Sequence, residues 1–263
     1  MVVHVGRAVT LFGCVLAMTM SVAACETSEG TAAGGNEATE ITRRPPQLVV
    51  FAYDRSTSIS GHQLEIARQL TNERIRMLDH DDRIAAHQLL QLSLEEPPLR
   101  WTQDVPPREF EEHALARDSI SRSRFLQDAQ DYLIAFTDSV GRGNINGTDI
   151  LSTLHDVASD LRAAPGRTAI LYIFSDMLQS TRTIEMEGLR GMPSAGWVQR
   201  QASAGTLPDL TGLCVVVVGA RVDTNASQRV KRFWDEYFEA TGARLDNVNY
   251  MLRPVTLPEH PCG

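Results

Sequence analysis

The chain has no surplus of positive charge: 25 lysines and arginines stand against 33 acidic residues, a formal net charge of −8. An acidic domain is a poor partner for a phosphate backbone, and the few aromatics, 6% of residues, form no stacking platform among basic positions. Nucleic acid is therefore excluded as the expected partner. No Gly-x-Ser-x-Gly elbow is present, and His80, His87, His113 and His155 fall inside helical or strand patterns, so Ser-His-Asp hydrolysis has little support. No lysine stands where it would hold a phosphate, and no internal repeat is visible. The one apolar run outside the strand patterns, Ala8 to Met20, is too short to span a bilayer.

That run belongs to an export signal over residues 1–24, with Arg7 before it, no acidic residue, and small residues up to Cys25. The junction Val22-Ala23-Ala24-Cys25 resembles the bacterial lipobox, with Val in place of the more usual Leu. The resemblance implies that Cys25 is lipidated and anchors the chain to a membrane of the bacterial cell envelope, inner or outer. An ordinary cleavable signal with Cys as its first mature residue is the plainer alternative. Residues 25–45 are rich in Thr, Ser, Gly, Ala, Asn and Glu, with almost nothing to bury, and read as a flexible tether. About 20 such residues span on the order of 25 Å. Removing the signal removes Arg7 alone, leaving 24 basic against 33 acidic residues, a net −9.

Of four cysteines, Cys14 leaves with the signal and Cys25 would carry the lipid, which leaves Cys214 and Cys262. In an oxidising exported compartment these two can pair. A buried Cys214 with a free Cys262 satisfies the same sequence.

Residues 46–263 are enough for one domain with a sizeable core. Periodicity predicts strands at 47–53, about 82–92, near Leu99-Arg100-Trp101, at 169–175, at 214–218 and about 245–252. It predicts helices at about 60–79, 118–139, 149–163, 196–204 and 227–241. Strands alternating with helices give an α/β fold: a single doubly wound, mostly parallel sheet flanked by helices.

The apolar run Leu48 to Tyr53 ends in Asp54-Arg55-Ser56-Thr57-Ser58. A carboxylate and two hydroxyls thus leave a strand end together, as hard oxygen ligands for a magnesium-sized cation. Thr148 follows the Gly-rich loop 141–147, just before a helix. Asp176 closes the strand Ala169 to Ser175. In this order the three pieces resemble the metal-ion-dependent adhesion site of von Willebrand factor type A domains. The resemblance covers roughly residues 46–253. It implies a Rossmann-like fold and a metal site built from Asp54, Ser56, Ser58, Thr148 and Asp176. Mg2+ would be the cofactor, with Ca2+ or Mn2+ as alternatives, and an acidic residue of a partner protein would complete the coordination.

Ordinary turn chemistry competes with that reading residue by residue. Asp54 and Ser56 would cap the helix beginning near Ser60, Thr148 would cap the next helix, and Asp176 would hold a loop. Around the site, Arg55, Thr57, Asn144, Met177, Leu178 and Gln179 are expected to form the rim. Trp197 and the aromatic helix from Val230 to Phe238 are expected to serve as core. The function expected is a binding or adhesion module, not an enzyme. The alternatives are a structural envelope lipoprotein whose metal ties loops, and a phosphatase-like hydrolase. The last usually needs an acid two residues after the strand-end Asp, where this chain has Ser56.

Overall fold

The structure is a computed structural model that describes residues 44–54, 56, 58–90, 99–108, 114–140, 147–187, 191–258 and 261–262. The signal, Cys25 and the tether up to residue 43 lie outside the described residues, as do Arg55, Thr57, His113 and Asn144.

Residues from Arg44 onward form one compact unit. Its chain order is β1 (Gln47–Asp54), α1 (Gly61–Arg76), β2 (Arg83–Leu89), β3 (Arg100–Asp104), α2 (Ala114–Val140), α3 (Ile150–Ala163), β4 (Thr168–Phe174), α4 (Trp197–Ser203), β5 (Leu213–Val218), α5 (Asn225–Thr241) and β6 (Tyr250–Met251). Six strands make a single sheet in the order β3-β2-β1-β4-β5-β6. All neighbours are parallel except β2 and β3. The doubly wound α/β architecture expected from the alternation of elements is the one observed.

Period-two alternation along the strands sorts the core into two layers. On one face, Leu48, Val50 and Ala52 of β1 pack with Leu171, Val215 and Val217 under α3 and α5. On the other, Val49, Phe51 and Tyr53 pack with Tyr172, Phe174 and Val216 under α1 and α2. A strand buried on both faces has no polar alternation to keep, which is why β1 and β5 read as continuous apolar runs.

The helix ends follow local chemistry. Ser60 and Gln63 form a capping box at the start of α1, and Arg74 and Arg76 complement its last turn. Thr224 and Ser227 do the same at the start of α5, and Gly242 closes that helix at φ 79°, where a side chain would be strained. The α5 aromatics Phe233, Trp234, Tyr237 and Phe238 are buried, and Trp197 packs against Phe233 with ring centroids 5.7 Å apart. The α5 aromatics belong to the core, as expected, and Trp197 packs against its edge while partly exposed.

One expected strand is largely absent. In place of 245–252, only Tyr250 and Met251 pair with β5, after a 3-10 turn at Asn247–Asn249. Asn249 N donates to Asp246 O at 2.9 Å. Asp and Asn favour such turns over extended backbone, and the apolar run around them concealed that preference.

Beyond β6 the tail turns back over β5. Leu257 and Cys262 pack on the α1 side of the sheet. A disulfide joins Cys262 to Cys214, with Cα atoms 5.9 Å apart. Arg244 donates to the Cys262 carbonyl at 2.7 Å, and Asn249 Nδ2 to that of Pro261 at 2.6 Å.

Candidate metal centre

Strand order reverses between β1 and β4. From β1 the chain proceeds to β2 and β3 on one side, and from β4 to β5 and β6 on the other. Loops leaving such a pair at its carboxyl ends diverge, and the crevice between them is where doubly wound sheets bind ligands. Here Tyr53 is opposite Phe174, so the next residues, Asp54 and Ser175, are also neighbours, with Asp176 just beyond.

The five sequence-selected residues converge there in one hydrogen-bonded array. Thr148 Oγ1 donates to Asp54 Oδ1 at 3.1 Å, and Ser56 N donates to the same oxygen at 2.8 Å. Ser56 Oγ and Ser58 Oγ are 2.8 Å apart. Ser58 Oγ donates to Asp176 Oδ2 at 2.9 Å, across 118 positions of sequence. Asp54 is 1% exposed and Thr148 2%, whereas Ser58 is at the surface. The array therefore runs from a buried base, the Asp54 carboxylate beside Thr148, to the exposed hydroxyl of Ser58.

Electrostatics at the base are unresolved by protein groups alone. Burial, together with the nearby Asp176 charge, pushes the Asp54 carboxyl up to about 6, against the opposing hydrogen bonds from Ser175 and Ser56. Among the described residues neither Asp54 nor Asp176 forms an ion pair with a cationic side chain. Nor do three or more His, Cys, Asp or Glu side chains cluster anywhere in those residues. The donor set is two carboxylates and three hydroxyls, all hard oxygens, which fits a magnesium- or calcium-class ion better than a soft one.

Capping, the competing role, belongs to other residues. Ser60 caps α1, and Asp149 caps α3 through Ser152 N at 3.1 Å. Asp176 does hold its own loop, accepting from Leu178 N at 3.0 Å, and keeps its other oxygen on Ser58.

Three residues outside the expected ligand set build the site's frame. Ser175 Oγ donates to Asp54 Oδ2 at 2.6 Å and accepts from Met177 N at 2.9 Å. Only strand register reveals Ser175 as the neighbour of Asp54, and register is not written in one sequence. Gln179 and Trp234 are the other two. Gln179 is 1% exposed; its Oε1 accepts from Ile150 N at 2.8 Å and its Nε2 donates to Asp149 Oδ1 at 2.9 Å, which locks the Asp176 loop to the start of α3. Thr148 and Ser180 reinforce this with a reciprocal backbone pair at 2.9 Å in each direction. Met177 sits at φ 65°, unusual for a side chain with a Cβ, and Trp234 Nε1 donates to its carbonyl at 2.8 Å. Met177 and Gln179 are thus buried supports, not the rim residues expected; only Leu178 of that trio is partly exposed.

Among the described residues, no histidine joins the site. His87 Nε2 is 2.7 Å from Asp160 Oδ2, both buried between β2 and α3, and Arg100 closes the same carboxylate. Burial opposes ionisation of Asp160, yet the bonds from His87 and Arg100 hold its carboxyl below the usual range.

No protein-family model matches the chain, and no curated protein matches it. Among solved structures, it is similar to proximal thread matrix protein 1 from the mussel byssus. The two share 11% identity over 75% of this chain and 48% of that one, with a TM-score of 0.37. A second structure of the same protein, described as having a zinc-occupied MIDAS motif, gives the same figures. A von Willebrand factor type A protein from Catenulispora acidiphila follows at 11% identity, 75% and 43% coverage and a TM-score of 0.31. The chain spans about half the length of these proteins or less.

Proposed function

We propose that this chain is a binding module, not an enzyme. Asp54, Ser56, Ser58, Thr148 and Asp176 hold a divalent cation, and a partner protein engages it through an acidic side chain. The observation that carries the reading is the Asp54–Asp176 pair. Two carboxylates are drawn into one hydroxyl-lined array, one of them 1% exposed, with no cationic side chain paired to either among the described residues. Burying charge without compensation is costly, and a cation removes that cost.

Each residue has a distinct part. Asp54 lies at the base, fixed on both oxygens. Thr148 donates its hydroxyl and Ser56 its backbone N–H to it, Ser56 Oγ pairs with Ser58 Oγ, and Ser58 bridges to Asp176. Mg2+ suits small oxygen donors and retained waters, and Ca2+ or Mn2+ would meet the same ligands. When bound, such an ion offers an electron-poor position that an outside carboxylate oxygen can complete.

The proposal extends to location: an exported lipoprotein, anchored through Cys25 in a bacterial envelope, with residues 25–45 as tether. That part rests on the sequence alone. No helix among the described residues is long and apolar enough to cross a membrane.

The test is thermal unfolding of the full-length chain, stripped with chelator and then titrated with Mg2+, Ca2+ and Mn2+, beside Asp54→Ala. Binding to the folded state raises the midpoint, so the wild type should respond and the variant stay flat. A wild type that ignores millimolar metal would sink the reading.

A further inference from the structure

A cleft of ≈ 330 Å³ opens beside the site, within the roughly 300–1,000 Å³ typical of ligand pockets. Leu178, Met186, Val230 and Tyr250 give it apolar walls, and Asp176 and Arg221 are its charged lining residues. Met186, Val230 and Tyr250 are buried, so these walls are core side chains that present one edge to the cleft.

Asp176 belongs to both features. Its Oδ2 accepts from Ser58 in the hydroxyl array, and the same residue lines the cleft. Whatever enters the cleft therefore sits within one side chain of the metal constellation. Arg221 is already paired with Asp223, at 2.6 Å, and adds no unbalanced positive charge. The charge at Asp176 thus decides whether an acid is tolerated there. Without a cation it repels one; with a cation it accepts one.

We infer that this cleft is the specificity pocket of the module, and that its occupant is a bulky apolar side chain of the partner protein, adjacent to the acidic residue that reaches the site. The inference rests on the metal reading above. The metal centre selects the carboxylate, which many proteins offer. The cleft selects what stands next to it, and an apolar-walled pocket discriminates by buried area.

The experiment uses the full-length chain in millimolar Mg2+, titrated with acetate, isovalerate and hydrocinnamate, with uncharged hydrocinnamide as a control. Methionine-methyl NMR reports the cleft through Met186. Hydrocinnamate should bind about ten-fold or more tightly than acetate, shift the Met186 methyl, and lose its hold when Mg2+ is chelated. Ala226→Phe fills the cleft from the partly exposed first turn of α5. It should abolish the preference for the larger acid while keeping the Mg2+ response, which also reports that the variant folds. Equal affinities along the series, or a preference unchanged in Ala226→Phe, with the Mg2+ response intact, overturn the cleft and leave the metal site standing. Absence of any Mg2+ response in the wild type overturns both.

Discussion

Trp234 Nε1 donates to the carbonyl of Met177 at 2.8 Å, so α5 holds the backbone of the residue that follows Asp176. Met177 is 0% exposed and sits at φ 65°, a conformation the surroundings must enforce. Replacing Trp234 by Phe keeps an aromatic in the core but leaves that carbonyl without its donor. The expected loss is about 1–3 kcal/mol of stability. If the bond also positions Asp176, the Mg2+ concentration at half-response should rise several-fold. Trp197→Phe, which removes a tryptophan packed elsewhere on α5, is the control and should leave the metal titration unmoved.

The metal-free protein should carry a pH signature from Asp54. Its carboxyl is raised in the fold from 3.8 to about 6, so the folded state binds the extra proton between those values. Stability from this group is therefore full below about pH 4, declines as pH rises toward 6, and is flat above. The span is about 3 kcal/mol at most. Asp104 and Asp160, held low by their arginine and histidine partners, slope the other way, losing stability as pH falls. The informative quantity is thus the difference between wild type and Asp54→Asn across pH 4 to 7. A difference that does not change over that window would contradict the burial argument.

Much of this is legible in the sequence alone. Strands buried on both faces announce themselves as apolar runs, and the Asp-x-Ser-x-Ser, Thr and Asp pieces name residues that the fold does bring together. What stayed hidden depends on register and on three-dimensional neighbours. Ser175 is ordinary in sequence and becomes an Asp54 partner only because β1 and β4 align Tyr53 with Phe174. Met177 and Gln179 lie within three residues of Asp176 and look like surface loop, yet the left-handed turn at Met177 and the Gln179–Asp149 bond fold them inward. The final strand was overestimated because apolar residues flank a turn of Asp and Asn.

Gly219 tests how tightly that frame is built. It sits at φ 111°, and a Cβ there would lie 3.0 Å from the carbonyl oxygen of Ser175. Gly219→Ala should cost on the order of 1–3 kcal/mol, from the backbone conformation and the contact together. Because Ser175 must give way, and Ser175 Oγ is bonded to Asp54 at 2.6 Å, the metal response should weaken as well. Gly212→Ala provides the comparison. It has a similar left-handed backbone, at φ 82°, but nothing within 4 Å of its added Cβ, so it should lower the unfolding midpoint without touching the metal titration.

The disulfide should separate stability from binding. Cys214 is the second residue of β5, and the candidate site lies past the opposite ends of the strands. Several residues of strand at about 3.3 Å each therefore stand between the two. Cross-linking positions 48 apart restricts the unfolded chain, worth roughly 4 kcal/mol in the chain-entropy account. It also keeps Leu257 and Cys262 packed against the sheet. Reduction, or Cys262→Ser, should accordingly lower the midpoint of thermal unfolding by many degrees in the presence and absence of Mg2+ alike. The Mg2+ half-response, measured well below that midpoint, should not move. A metal affinity that falls along with stability would mean that the tail's hold on β5 and β6 reaches the carboxyl ends of the strands, and that the site depends on the whole sheet and not on the β1–β4 crevice alone.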